Sequence, residues 1–173
     1  NKIAFITLLV TSFISCNNDD ATPMNEEEVI TPITTTLTGG GQTITLKSRD
    51  LDGDGPNAPI ITVSGNLTAG TTYIGSTSFL DELANPAENI TEEVETEGNE
   101  HQVFYQLVAP SLGTITYDAT NVDSNGKPIG LEFTLVTGSA SSGTLTVTLR
   151  HLPNKSAGGV SNGDITNAGG STD

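Results

Sequence analysis

Eight short segments of this chain read as β-strands between turns, and the period of two in the clearest of them restricts the available folds more than any other feature. Gln42 to Arg49 (QTITLKSR) shows it plainly: Ile44 and Leu46 point to one face, and Thr43, Thr45, Lys47 and Arg49 to the other. Such a segment buries its apolar face only by joining a sheet. Val29 to Thr38, Pro59 to Ser64, Thr71 to Leu80, Gln102 to Ala109, Gly113 to Asp118, Gly130 to Val136 and Thr144 to Leu149 are further strand candidates. Turn residues divide them, including Gly39-Gly40-Gly41 and the Asn125-Gly126 pair that favours a tight hairpin. The pattern predicts an all-β fold, a single antiparallel β-sandwich or partly open barrel of about eight strands. Pro32 inside the first segment suggests an edge position for that strand, because proline cannot donate to a central ladder.

One stretch departs from the β pattern. Glu88 to Leu107 (ENITEEVETEGNEHQVFYQL) begins as a short acidic helix and ends in an aromatic strand. Asn89 is placed to cap the helix with Glu92 as its capping-box partner, and Gly98-Asn99 ends it. The acidic run around it holds Asp81, Glu82, Glu88, Glu92, Glu93, Glu95, Glu97 and Glu100, with Arg49, Arg150 and Lys155 the cations able to answer it. A solvated helix face is the plainer reading of such a run. Over all 173 residues, 21 acidic side chains against 6 basic ones leave a formal net charge of -15, which excludes nucleic acid as a partner.

The N-terminus carries an address. Behind Lys2, Ile3 to Ile14 is an apolar run of signal-peptide length, too short to span a bilayer. Phe13-Ile14-Ser15-Cys16 then reads as a relaxed lipobox, so that cleavage would leave Cys16 lipidated. Asn17-Asn18-Asp19-Asp20 opens a polar tether with too little apolar surface to fold. The expected organisation is a lipoprotein signal peptide over 1–15, a lipidated tether over 16–28, a β-sandwich over 29–153 and a flexible or truncated segment over 154–173. The expected location is the outer membrane, held through the lipid on Cys16 and facing either the periplasm or the cell surface.

Two constellations point to ions. Asp50, Asp52 and Asp54 alternate before Gly55 like the opening of a calcium loop, where a hard cation needs converging oxygens and a sharp turn. Ile61 stands where such a loop supplies its bidentate glutamate, so a solvated Asp/Gly turn competes with calcium. The second is the pair of histidines. His101 falls in phase with Val103, Tyr105 and Leu107, and His151 with Leu145, Val147 and Leu149, so both sit at strand margins in inward-facing rows. If those strands are neighbours, two imidazoles meet beside Glu97 and Glu100 and form a nitrogen and oxygen set that zinc or copper accepts. Ordinary strand-end histidines are the plainer alternative. For catalysis there is no G-x-S-x-G, zincin helix or Walker loop, so no enzyme is expected.

Four blocks, RDLDGDGPNAP (Arg49 to Pro59), NITEEVETEGNEHQVFYQ (Asn89 to Gln106), TLRHLPNK (Thr148 to Lys155) and the terminal AGGSTD, together resemble a family of small bacterial lipoproteins known as type 1 periplasmic binding fold superfamily proteins. The resemblance implies an envelope location, loosely implies ligand binding, and suggests partnership with a TonB-dependent outer-membrane receptor. A two-lobed α/β binding protein is roughly twice this length with alternating helices and strands, whereas this chain shows one helix among strands. The leading expectation is therefore a non-enzymatic anchored lipoprotein that binds a ligand for nutrient uptake, with a metal ion at His101 and His151 as its sharpest form. The alternative is a structural or adhesive surface module with a calcium-stabilised loop, binding glycan or protein.

Overall fold

A computed structural model of the chain describes residues 28–53, 55–109 and 112–173. The signal peptide, Cys16, Asp54 and all of the tether before Glu28 lie outside the described residues. Each of the eight expected segments forms one strand. They are β1 (Pro32–Gly39), β2 (Gln42–Arg49), β3 (Ile60–Val63), β4 (Thr72–Phe79), β5 (His101–Val108), β6 (Gly113–Tyr117), β7 (Glu132–Thr137) and β8 (Thr144–His151). The helix α1 (Ile90–Thr96) lies between β4 and β5, and a two-residue strand, β9 (Ser171–Thr172), closes the chain.

Two antiparallel sheets result, in the order β3-β2-β1-β4-β7-β6 and β5-β8-β9. They face one another as an open sandwich and do not close into a barrel, which decides between the two architectures that the alternation allows. Along β4 the burial alternates strictly, with Tyr73, Gly75, Thr77 and Phe79 inward. They meet Leu37, Val103, Tyr105, Phe133, Leu135 and Leu149 in the main core. Within that core the Tyr105 hydroxyl donates to the Gly130 carbonyl and lies 2.8 Å from the Thr77 hydroxyl, which can donate back to it, and the two contacts satisfy a phenol that would otherwise be an expensive buried dipole.

Three local expectations need correction. The first strand is central rather than at an edge, because β1 pairs with both β2 and β4. Pro32 is tolerated there as the first residue of the strand, where its missing N–H costs least. Asn89 sits at the helix N-cap without the expected bond to the backbone, and its amide instead donates to the Glu92 carboxylate at 2.8 Å. The segment after Asn154 is packed rather than loose, and it ends in the short strand β9. Two 3₁₀ turns, Val160–Asn162 and Ile165–Asn167, lay Val160 and Ala168 against Phe104 on the outer face of β5. That cover explains why Gln102 and Phe104, which point away from the main core, are fully buried.

Lys155 locks this cover in place. Its ammonium is buried and donates to the carbonyls of Gly98 and Pro128 and to Asp123 Oδ2 at 3.0 Å, joining the C-terminal segment to the end of α1 and to the Asp123–Gly126 turn. All three ammonium donors are used. Burial depresses the Lys155 pKa, with the Asp123 carboxylate opposing that shift.

Candidate metal centre

The pairing of β5 with β8 puts His101 directly opposite His151. Facing residues on adjacent strands bring their side chains within contact distance, and the two rings stack with centroids 4.7 Å apart and planes 21° from parallel. Both belong to the inward rows read from the sequence, so the stack closes one end of the inter-sheet space. His101 is fully buried and His151 nearly so.

Two carboxylates that the sequence did not single out complete the cluster. Glu28 enters from just before β1, and its Oε1 lies 2.9 Å from His101 Nε2. Asp173 follows β9, with Oδ2 4.0 Å from His101 Nε2 and Oδ1 3.9 Å from His151 Nδ1. The side chains of Glu28 and Asp173 are 5% and 0% exposed. One ligand atom from each of Glu28, His101, His151 and Asp173 lies within 4.8 Å of all the others.

The orientation of the rings bears on the chemistry. His101 Nδ1 lies 3.3 Å from the Glu97 carbonyl, which can accept only if that nitrogen carries the proton. In the neutral ring this leaves Nε2 with its lone pair toward the cluster. Nε2 makes no hydrogen bond there despite the 2.9 Å approach of Glu28. On the other ring, His151 Nε2 faces the half-exposed Glu100 carboxylate at 3.6 Å, on the side away from Asp173. The Glu97 carbonyl is the kind of outer partner that holds an imidazole ligand in one tautomer at metal sites, whereas Glu100 approaches His151 without a hydrogen bond.

The structure thus brings His101 and His151 together and gives the expected glutamates different places. Glu97 offers its backbone carbonyl to His101, and its carboxylate turns instead toward Glu28 and Glu93. Glu100 stands behind His151. Glu28 read as tether and Asp173 as loose tail, and no local motif marks either one.

The remaining expected sites resolve separately. Asp50 Oδ1 accepts from the amides of Asp52 and Gly53, and Asp52 Oδ2 accepts from the amide and side chain of Asn57. Those bonds from Asn57 lower the Asp52 pKa. The two described carboxylates of the expected calcium loop are therefore engaged by the loop itself. In the acidic run, Glu82 pairs with Arg49 and Lys47 and is structural. Among the described residues no Lys or Arg pairs with the carboxylates of α1. Burial raises the Glu93 pKa, and the nearby charges of Glu28, Glu97 and Glu88 add to this.

The chain matches no protein-family model, no curated protein and no solved structure.

Proposed function

We propose that this domain binds a transition-metal ion of the zinc or copper class, with nitrogens from His101 and His151 and oxygens from Glu28 and Asp173. The observation that carries the reading is the buried Nε2 of His101, turned by Glu97 into a cluster with Glu28 and left there without a hydrogen bond. Two carboxylates and two imidazoles with side chains no more than 5% exposed concentrate negative charge where water cannot screen it. A divalent cation answers that charge directly. A tetrahedral ion with bonds of about 2.0–2.1 Å sets its ligand atoms about 3.3 Å apart, so movements of about an ångström close this cluster on zinc.

Four protein ligands without an open position favour holding the ion over catalysing with it. In the reading of the whole chain, Cys16 anchors the domain to the outer membrane, and the metal is cargo or a structural ion for an uptake system that includes a TonB-dependent receptor. The calcium-loop alternative is less well supported, since Asp50 and Asp52 already spend their oxygens on loop amides.

A thermal melt of the full chain, stripped by chelator and then given Zn²⁺, Cu²⁺ or Ca²⁺ separately, tests the reading. Zinc or copper at about one hundred times its dissociation constant stabilises the native state by about 2.7 kcal/mol. His101→Ala and His151→Ala abolish the gain, and their own metal-free melts show that they fold. A melting temperature that neither Zn²⁺ nor Cu²⁺ moves overturns the proposal and leaves the cluster as buried contacts between histidine and carboxylate.

A further inference from the structure

Glu28 belongs to two groups of ligand atoms. Besides the histidine cluster, a Glu28 carboxylate oxygen lies within 4.8 Å of one oxygen each from Glu93 and Glu97, which are likewise within 4.8 Å of one another. The helix explains this arrangement. Ile90 and Val94 are its buried positions, so α1 docks through them and carries Glu93 and Glu97, four residues apart, along one neighbouring strip. Like charges at that spacing repel, and among the described residues no Lys or Arg pairs with either one.

A second and independent observation comes from Glu28 itself. Its side chain is 5% exposed, and its Oε2 is buried without a hydrogen-bond partner while Oε1 faces His101. A buried carboxylate oxygen with no donor is costly unless a cation serves it.

We propose that Glu28, Glu93 and Glu97 bind a second divalent cation, of the oxygen-preferring manganese, calcium or magnesium class, and that Glu28 bridges it to the ion held by the histidines. The bridge rests on the preceding reading of His101 and His151. The donor sets differ in chemistry: imidazole with carboxylate suits zinc or copper, and carboxylates alone suit a hard cation. They differ in access as well. Glu93 and Glu97 are exposed, so water completes the second coordination shell and that ion exchanges freely, whereas the first is enclosed. Carboxylate-bridged pairs place their ions about 3.5–4 Å apart, a separation that one glutamate engaged through both oxygens can span.

The test uses the full chain, stripped of metal, loaded with one equivalent of Zn²⁺ and titrated with Mn²⁺ while the electron paramagnetic resonance signal of free Mn²⁺ is followed. The wild type takes up one Mn²⁺ per chain, and Ca²⁺ displaces it. Glu93→Gln/Glu97→Gln, altered only at exposed positions, retains its zinc and binds Mn²⁺ at least tenfold more weakly. Equal Mn²⁺ uptake by wild type and variant, or none by either, overturns the second site while leaving the zinc site standing. Failure of the wild type to retain zinc overturns the bridge, and Mn²⁺ titration of the metal-free chain then reads the carboxylate trio by itself.

Discussion

Replacing Lys155 with methionine removes one cation and keeps most of the volume of its side chain, so the change isolates the polar role of the residue. In the native structure the Lys155 ammonium serves Asp123 and the carbonyls of Gly98 and Pro128 at a site where its own side chain is 6% exposed and that of Asp123 is 1% exposed. Removing one partner of a buried ion pair costs about 3–5 kcal/mol, because the other charge is left uncompensated. Asp123 keeps the amides of Asn125 and Lys127, which moves the estimate toward the lower end. Against that, two buried carbonyls lose their shared donor, and each such loss costs about 1–3 kcal/mol before relaxation. We expect a net destabilisation of about 3–4 kcal/mol, or a fall in melting temperature of about 6–16 °C at about 2–4 °C per kcal/mol for a domain of this size. Urea unfolding followed by circular dichroism measures the first quantity and a thermal scan the second. The double variant Lys155→Met/Asp123→Asn removes the orphaned charge and recovers part of the loss. A single variant within about 1 kcal/mol of wild type, or a double variant no more stable than the single, would refute the argument that this lysine is held by a charge it must neutralise.

Gly170→Ala is expected to unseat β9, because φ is +71° at that position and an added Cβ would meet the His151 carbonyl at 2.1 Å. Since β9 carries Asp173 to the cluster, calorimetry should find zinc binding weakened at least tenfold alongside lower stability, and unchanged zinc affinity would remove Asp173 from the ligand set. Stability should also fall on acidification. Burial opposes ionisation of Asp123, but the Lys127 amide and then the Lys155 ammonium outweigh it, so its folded pKa lies below the ordinary aspartate value. That contribution is complete above the unfolded pKa of about 3.9 and is lost as pH drops through the lower folded value. The urea midpoint should therefore decline below about pH 4, and Asp123→Asn should flatten that part of the profile; a slope identical to wild type would assign the acid sensitivity to other carboxylates.

Much of the scaffold was legible because strand phase is a local property. Each of the eight expected segments became a strand, and the period of two placed His101 and His151 in inward-facing rows. Asn125-Gly126 turned the chain where the pair suggested, with Gly126 at φ +71° and its amide bonded to the Asp123 carbonyl. The position of Pro32 misled because proline excludes only a donor, and the first residue of a central strand can do without one. The C-terminal segment misled for a different reason. Its many glycines and asparagines describe irregular backbone correctly, but irregular backbone can still be packed, and Val160, Ala168 and Lys155 are buried there.

By itself the sequence determined which residues form strands and which faces look inward, since both follow from side-chain type and spacing along a few neighbouring residues. Only the tertiary structure decided that β5 and β8 pair in the register that stacks His101 on His151, that Glu28 and Asp173 arrive beside them, and that Glu97 and Glu100 stand behind the rings. Convergence of ligands from distant parts of a chain is set by sheet pairing and by packing of the terminal segments, and no spacing within a single segment records it.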